Sequence, residues 1–179
     1  MSSSAASAPV RNALRRFHRN QRGSSAVEFA LVAPMFLALL FAIIETALVF
    51  FAGQVLETGV QDTGRRLYTS QATSQTDFRQ ALCDRVSLIV PCSSSLCVDV
   101  RSYPPGAPIS LSNPIDESGK YTPDCVYQPP TTLDQTVVVR AFYPWPLLVT
   151  GLGYNIANIG GGSSTSQKLL AATAAFRPQ

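Results

Sequence analysis

The sequence predicts an α+β protein: a long N-terminal transmembrane helix that continues into an amphipathic stalk and packs on a small antiparallel β-sheet head. Three observations carry this. Residues Phe29 to Ala52 form an apolar run with one charge, Glu45. Beyond Ala52, apolar side chains recur at helical spacing. Later still, stretches dense in β-branched residues alternate with Pro- and Gly-rich turns.

The run contains 24 residues, which as a helix reach about 36 Å at 1.5 Å per residue, enough to cross a hydrocarbon core of roughly 30 Å. Of the 179 residues, those from Gly53 to Gln179 suffice for one small domain. The formal charge of +3 conceals an asymmetry: Arg11, Arg15, Arg16, Arg19 and Arg22 precede Glu28 without an acid, whereas nine acids balance nine bases from Gly53 onward. Positive charge retained on the cytoplasmic side then sets the topology, with the N-terminus inside and everything after Ala52 exported. A nucleic-acid partner is not expected, because the basic stretch has no interleaved aromatic except Phe17 and abuts the span.

Cysteine usage agrees with export. Cys83, Cys92, Cys97 and Cys125 all fall in the exported part, where an oxidising compartment permits disulfides. Four cysteines allow three pairings, and spacing does not choose among them. The preferred one is Cys83–Cys92 with Cys97–Cys125, because the first would clamp a helix end to the strand that follows. A zinc site is the weaker alternative: there is no C-x2-C, and the single histidine, His18, lies on the other side of the membrane. No metal or cofactor is expected.

The start of the run differs from an ordinary signal peptide, whose apolar core is shorter and is followed by a small-residue cleavage site. Ala47, Ala52 and Gly53 imitate such a site, but the informative stretch lies ahead of the core, from Arg22 to Phe29. A carboxylate at the mouth of a membrane helix is favoured by the unpaired N–H groups and the positive dipole end. Ser24 or Ser25 can cap, with Glu28 three residues beyond Ser25 in a capping box. That explains the pattern as a well-formed helix start. The functional reading makes Gly23 the residue before a scissile bond, since its backbone is easily drawn extended into a protease cleft. Cutting there leaves Ser24 with a free ammonium, which in a helix bundle can neutralise the Glu28 carboxylate of a neighbour.

The stretch Gln21 to Glu28, QRGSSAVE, followed by FALVAPMFLALLFAIIETALVF, resembles the TadE/TadG-like proteins, pilin-related single-span components of the tight-adherence (Flp-type, type IVb) pilus machinery. The resemblance continues through Val137–Pro146 and Leu169–Arg177. It implies a minor pilin-like (pseudopilin) component of the bacterial inner membrane, with a cytoplasmic N-terminus and a periplasmic head that can enter an extracellular pilus. A prepilin peptidase is the implied processing partner. Cleavage maps to Gly23, the new N-terminus to Ser24 and the assembly glutamate to Glu28. Major Flp pilins usually carry Tyr after that glutamate and are much shorter. Phe29 and the length of this chain therefore argue for the minor class. Other pilin-like subunits, assembly-platform proteins and the lipid bilayer are the remaining implied partners, with no small-molecule substrate. The expected organisation is a basic leader 1–23, a transmembrane helix 24–52, a helical stalk and second helix 53–90, and a small disulfide-containing head 91–179. A membrane-anchored binding or signalling domain that is never processed is the alternative.

Within the span, Pro34 removes one intrahelical N–H and predicts a modest bend. Glu45, about 10 Å of helix before Ala52, is expected to pair with another assembly component, or to reach water or be protonated. One acid on one helix makes no proton relay. In the stalk, Leu56, Val60, Thr63 and Leu67 mark one face, with Gly59 and Gly64 weakening the helical signal. A second helix is expected from Thr76 or Asp77 to Ser87, with Phe78, Leu82 and Val86 inward, Arg79 and Arg85 free on the surface, and Pro91 as the stop.

In the head, Leu96–Tyr103 reads as a strand with Val98 and Val100 on one face and Asp99 and Arg101 on the other. Residues 104–131 read as a surface loop tethered by Cys125. Thr136–Phe142 is the strongest strand, ended by Tyr143-Pro144-Trp145-Pro146, a cluster that is either a core plug or a recognition surface. Gly151–Ser166 is a Gly/Ser-rich loop without phosphate-loop context. Gln167–Phe176 is a last strand whose alanines also permit helix. Catalysis is not expected: the exported part has no His for a triad, and the spacing of Asp99, Asp116 and Glu117 does not make a carboxylate pair.

Overall fold

The computed structural model describes residues 23–68, 74–92, 95–149, 154–160 and 166–177. The arginines of the basic leader and, in the Gly151–Ser166 loop, residues 151–153 and 161–165 lie outside these. The described elements are α1 (Ser24–Tyr68), α2 (Gln75–Val86), β1 (Cys97–Tyr103), β2 (Thr136–Pro146) and β3 (Gln167–Phe176). The chain divides into two compact units, one ending at Phe41 and one running from Ala42 to Gln179.

The described part of the first unit is helix, with Pro34 inside it. Its apolar side chains, among them Val27, Phe29, Leu31, Met35 and Phe36, are exposed, the arrangement of a helix made for lipid or for other helices. Ser25 lies within α1 rather than at its cap.

In the second unit, one stripe of α1 is buried: Val49, Ala52, Leu56, Val60, Thr63 and Leu67. The intervals of three and four residues place them on a single face, and the face meets Phe78, Leu82 and Val86 of α2 and the inner side of the sheet. The two glycines that weaken the helical signal are sites of close approach. A Cβ on Gly59 would stand 2.6 Å from Val86 Cγ1, and one on Gly64 would stand 2.7 Å from Phe176 Cε1.

Thr63 contributes a buried hydroxyl with no hydrogen-bond partner among the described residues. Thr63→Val keeps the shape and removes that polar atom. It should therefore stabilise the protein by about 1 kcal/mol, read as a rise in the urea midpoint with the slope unchanged.

Helix α2 starts on Ser74, whose Oγ accepts from Asp77 N at 3.1 Å, and closes with Ser87 N donating to Cys83 O at 2.9 Å. It thus stops before Pro91 is reached. Arg85 is not free on the surface: its Nε lies 3.6 Å from an Asp62 carboxylate oxygen on α1.

The sheet is antiparallel in the order β1-β2-β3. β3 resolves the helix-or-strand ambiguity of its alanines in favour of strand, pairing along its length with β2 from Val137↔Phe176 to Pro146↔Gln167. β2 does not end at Phe142; it runs through both prolines. The reason is geometric. β1 pairs with β2 only as far as Cys97↔Phe142, so beyond that point one side of β2 has no paired strand among the described residues. Leu147 N donates to Ser166 O on the β3 side, and the two-residue alternation then turns the nitrogens of Pro144 and Pro146 to the open side, where no donor is needed.

Candidate functional site

Two regions hold the residues singled out by the sequence: the start of α1 and the level of Glu45. Gly23, Glu28 and Phe29 are exposed in the first unit, and nothing lies within 4 Å of where a Gly23 Cβ would stand. Ser24 opens α1. Glu28 lies on the exposed surface of α1.

Glu45 belongs to the second unit and is 8% exposed. Its partners are backbone groups of the same chain, where the sequence pointed to another component or to water. Leu148 N donates to Oε1, and Val149 N donates to Oε2 at 3.1 Å. One residue on, Thr46 Oγ1 donates to Ala42 O at 2.7 Å and lies 2.9 Å from Tyr154 Oη. A threonine hydroxyl has one hydrogen, so Tyr154 is the donor in the second bond. The contacts of Glu45 and Thr46 with Leu148, Val149 and Tyr154 span more than 100 residues in sequence. No local signal could have announced them, apart from the oddity of an acid inside an apolar run.

The four cysteines are joined Cys83–Cys92 and Cys97–Cys125. The second bond holds the Pro-rich segment against β1. There Val100 N donates to Val126 O at 2.7 Å and Gln128 N to Val100 O at 2.8 Å, covering what would otherwise be a bare sheet edge. The turn that starts this segment closes with Ala107 N donating to Pro104 O, and Gly106 takes φ +76° there, as a type II turn with Pro at its second position requires.

The segment also buries a charge cluster that the alternation of β1 assigned to a polar face. Asp99 is 1% exposed and Arg140 6%, directly opposite each other in register. Arg140 Nε and Nη2 donate to Asp99 Oδ2 at 2.9 and 2.5 Å, and Arg140 Nη1 donates to Ser112 O at 2.7 Å. Asp99 Oδ1 also accepts from Arg101 Nε at 3.0 Å and from Val126 N at 3.3 Å. With every oxygen and most of the guanidinium engaged, the cluster is a structural clasp between sheet and loop. Nearby, burial pushes the Tyr121 phenol up to about 12, and its O–H donates to Phe142 O at 3.4 Å.

Residues 23–65 match the family model for TadE-like protein. Over that stretch the chain is similar to TadE-like proteins. Neither a curated protein nor a solved structure matches the chain. The TadE-like stretch opens at Gly23, includes Glu28, Phe29, Pro34 and Glu45, and ends within α1. It thus takes in the membrane-length apolar run and most of the helix face that packs in the second unit. The sheet, both disulfides and the Asp99–Arg140 clasp fall outside it.

Proposed function

We propose that this protein is a minor pilin-like assembly component of a tight-adherence pilus, cut after Gly23 and held in the inner membrane as a single-span subunit. The match of residues 23–65 to the TadE-like model carries this reading, because the matched stretch begins at the glycine of the proposed cut. The exposed Gly23 and Glu28 support it.

In this mechanism the arginine-rich leader stays in the cytoplasm while the rest is exported and its cysteines are oxidised. A prepilin peptidase removes Met1 to Gly23. The Ser24 ammonium of one subunit then faces the Glu28 carboxylate of another, each neutralising a charge that would be costly alone in lipid. The apolar first unit supplies the helix-to-helix surface, and the head carries the contacts that prime or cap the filament.

Intact mass measured with and without the cognate peptidase tests this. The parent chain should lose its leader and begin at Ser24, whereas Gly23→Val should stay uncut under the same conditions. A chain that keeps Met1 with active peptidase present points instead to an unprocessed anchor. Equal mass loss in parent and variant removes Gly23 from the mechanism.

A further inference from the structure

We propose that the head itself enters the bilayer through the turn that follows β2, with Leu148 set among lipid acyl chains at the depth of Glu45. The inference rests on the membrane-span reading of α1 and adds a second, non-spanning contact that the span does not require.

Both ends of this contact land on consecutive residues of α1. Leu148 and Val149 donate to Glu45, and Tyr154 donates to Thr46. Glu45 lies seven positions before Ala52, about 10 Å of helix inside the apolar run. If that part of the run is in lipid, Leu148, Val149 and Tyr154, which bond to it, lie at that depth too.

The chemistry of the segment suits that place. Leu148 is 89% exposed, and Ile43, Ile44 and Leu48, which flank Glu45 on α1, are exposed as well, so both parts of the chain offer apolar side chains at this level. Non-helical backbone is tolerated at such depth only when its polar groups have partners. Glu45 provides acceptors for two amides that follow the end of β2, which also accounts for an acid within the span. Trp145 is half-buried just ahead of the turn, an amphipathic ring of the kind that settles at headgroup level. Lys168 pairs across from it in register, and its ammonium can reach lipid phosphate along an aliphatic stem.

The test uses the full chain in lipid nanodiscs, with a single tryptophan placed at Leu148 in a Trp145→Phe background. Quenching is compared between phospholipids brominated on the acyl chains and aqueous acrylamide. Leu148→Trp should be quenched by the brominated lipids within twofold of Ile43→Trp, which reports the span at that level, and should be shielded from acrylamide. Leu133→Trp, in the turn before Thr136 at the other end of β2, should show the reverse.

Acrylamide quenching of Leu148→Trp equal to that of Leu133→Trp overturns the proposal while leaving the span intact. Shielding from both quenchers also overturns it, since another protein surface then covers the turn. Failure of Ile43→Trp to meet the brominated lipids overturns the span reading, and this contact with it. Leu148→Trp in the native background, where Trp145 is constant, gives the same comparison should Trp145→Phe unfold the head.

Discussion

Asp99→Asn should destabilise the head by about 3–5 kcal/mol, the largest loss expected from a conservative change in this protein. Asparagine keeps the shape of the side chain but removes the charge that faces Arg140. Arg140, 6% exposed, is then left with neutral acceptors only, the Ser112 oxygens and the new amide oxygen, in a place where water cannot replace the carboxylate. Val126 N loses a charged acceptor at the same time, so the loop should loosen with the sheet. The appropriate measurement is urea unfolding of the oxidised protein followed by Trp145 fluorescence. Replacing both partners, as Asp99→Val with Arg140→Met, should cost less than Asp99→Asn alone, because no buried charge remains unpaired. A single variant within 1 kcal/mol of the parent would mean that the clasp does not hold the head together.

Removing the Cys97–Cys125 bond by paired serine substitution should cost about 3–4 kcal/mol, and removing Cys83–Cys92 about 2.5 kcal/mol, from the loop-closure entropy restored to the unfolded chain. The order follows from sequence separations of 28 and 9. The longer loop contains most of the Pro-rich segment, including the turn at Gly106 and the Ser112 oxygens bound by Arg140. Its loss also frees the strip at Val126–Gln128 that covers β1. Exposure of that edge should make the variant more prone to association than the other. Thermal unfolding of the two serine pairs side by side decides the matter, and an equal or reversed order would refute the chain-entropy account for this head.

Some elements were legible because their signals are local. The apolar run, the Leu56–Val60–Thr63–Leu67 face and the Phe78–Leu82–Val86 face are all set by residues close in sequence; burial follows the repeat on the two faces, whereas most of the run is exposed. Signals that depend on a distant partner were misread or ambiguous. Gly59 and Gly64 look like weak points of a helix until Val86 and Phe176 come against them. Pro144 and Pro146 look like a strand end because their tolerance depends on β1 stopping at Phe142. Arg85 looks solvated until Asp62 is brought beside it. Asp99 and Arg140 look like polar-face residues because alternation along one strand cannot reveal that a Pro-rich segment covers the second face.

The amino-acid order alone therefore determined where an exposed membrane-length helix lies, where the two helical faces run and where the strands β1 and β2 begin, since hydrophobic period and charge placement act over one or two turns. Only the tertiary structure decided what Glu45 bonds to, which side of β2 is open and where an ion pair is buried. Those outcomes require groups many residues apart to meet, and their energies arise from desolvation and geometry at the meeting point rather than from any property of the residues taken singly.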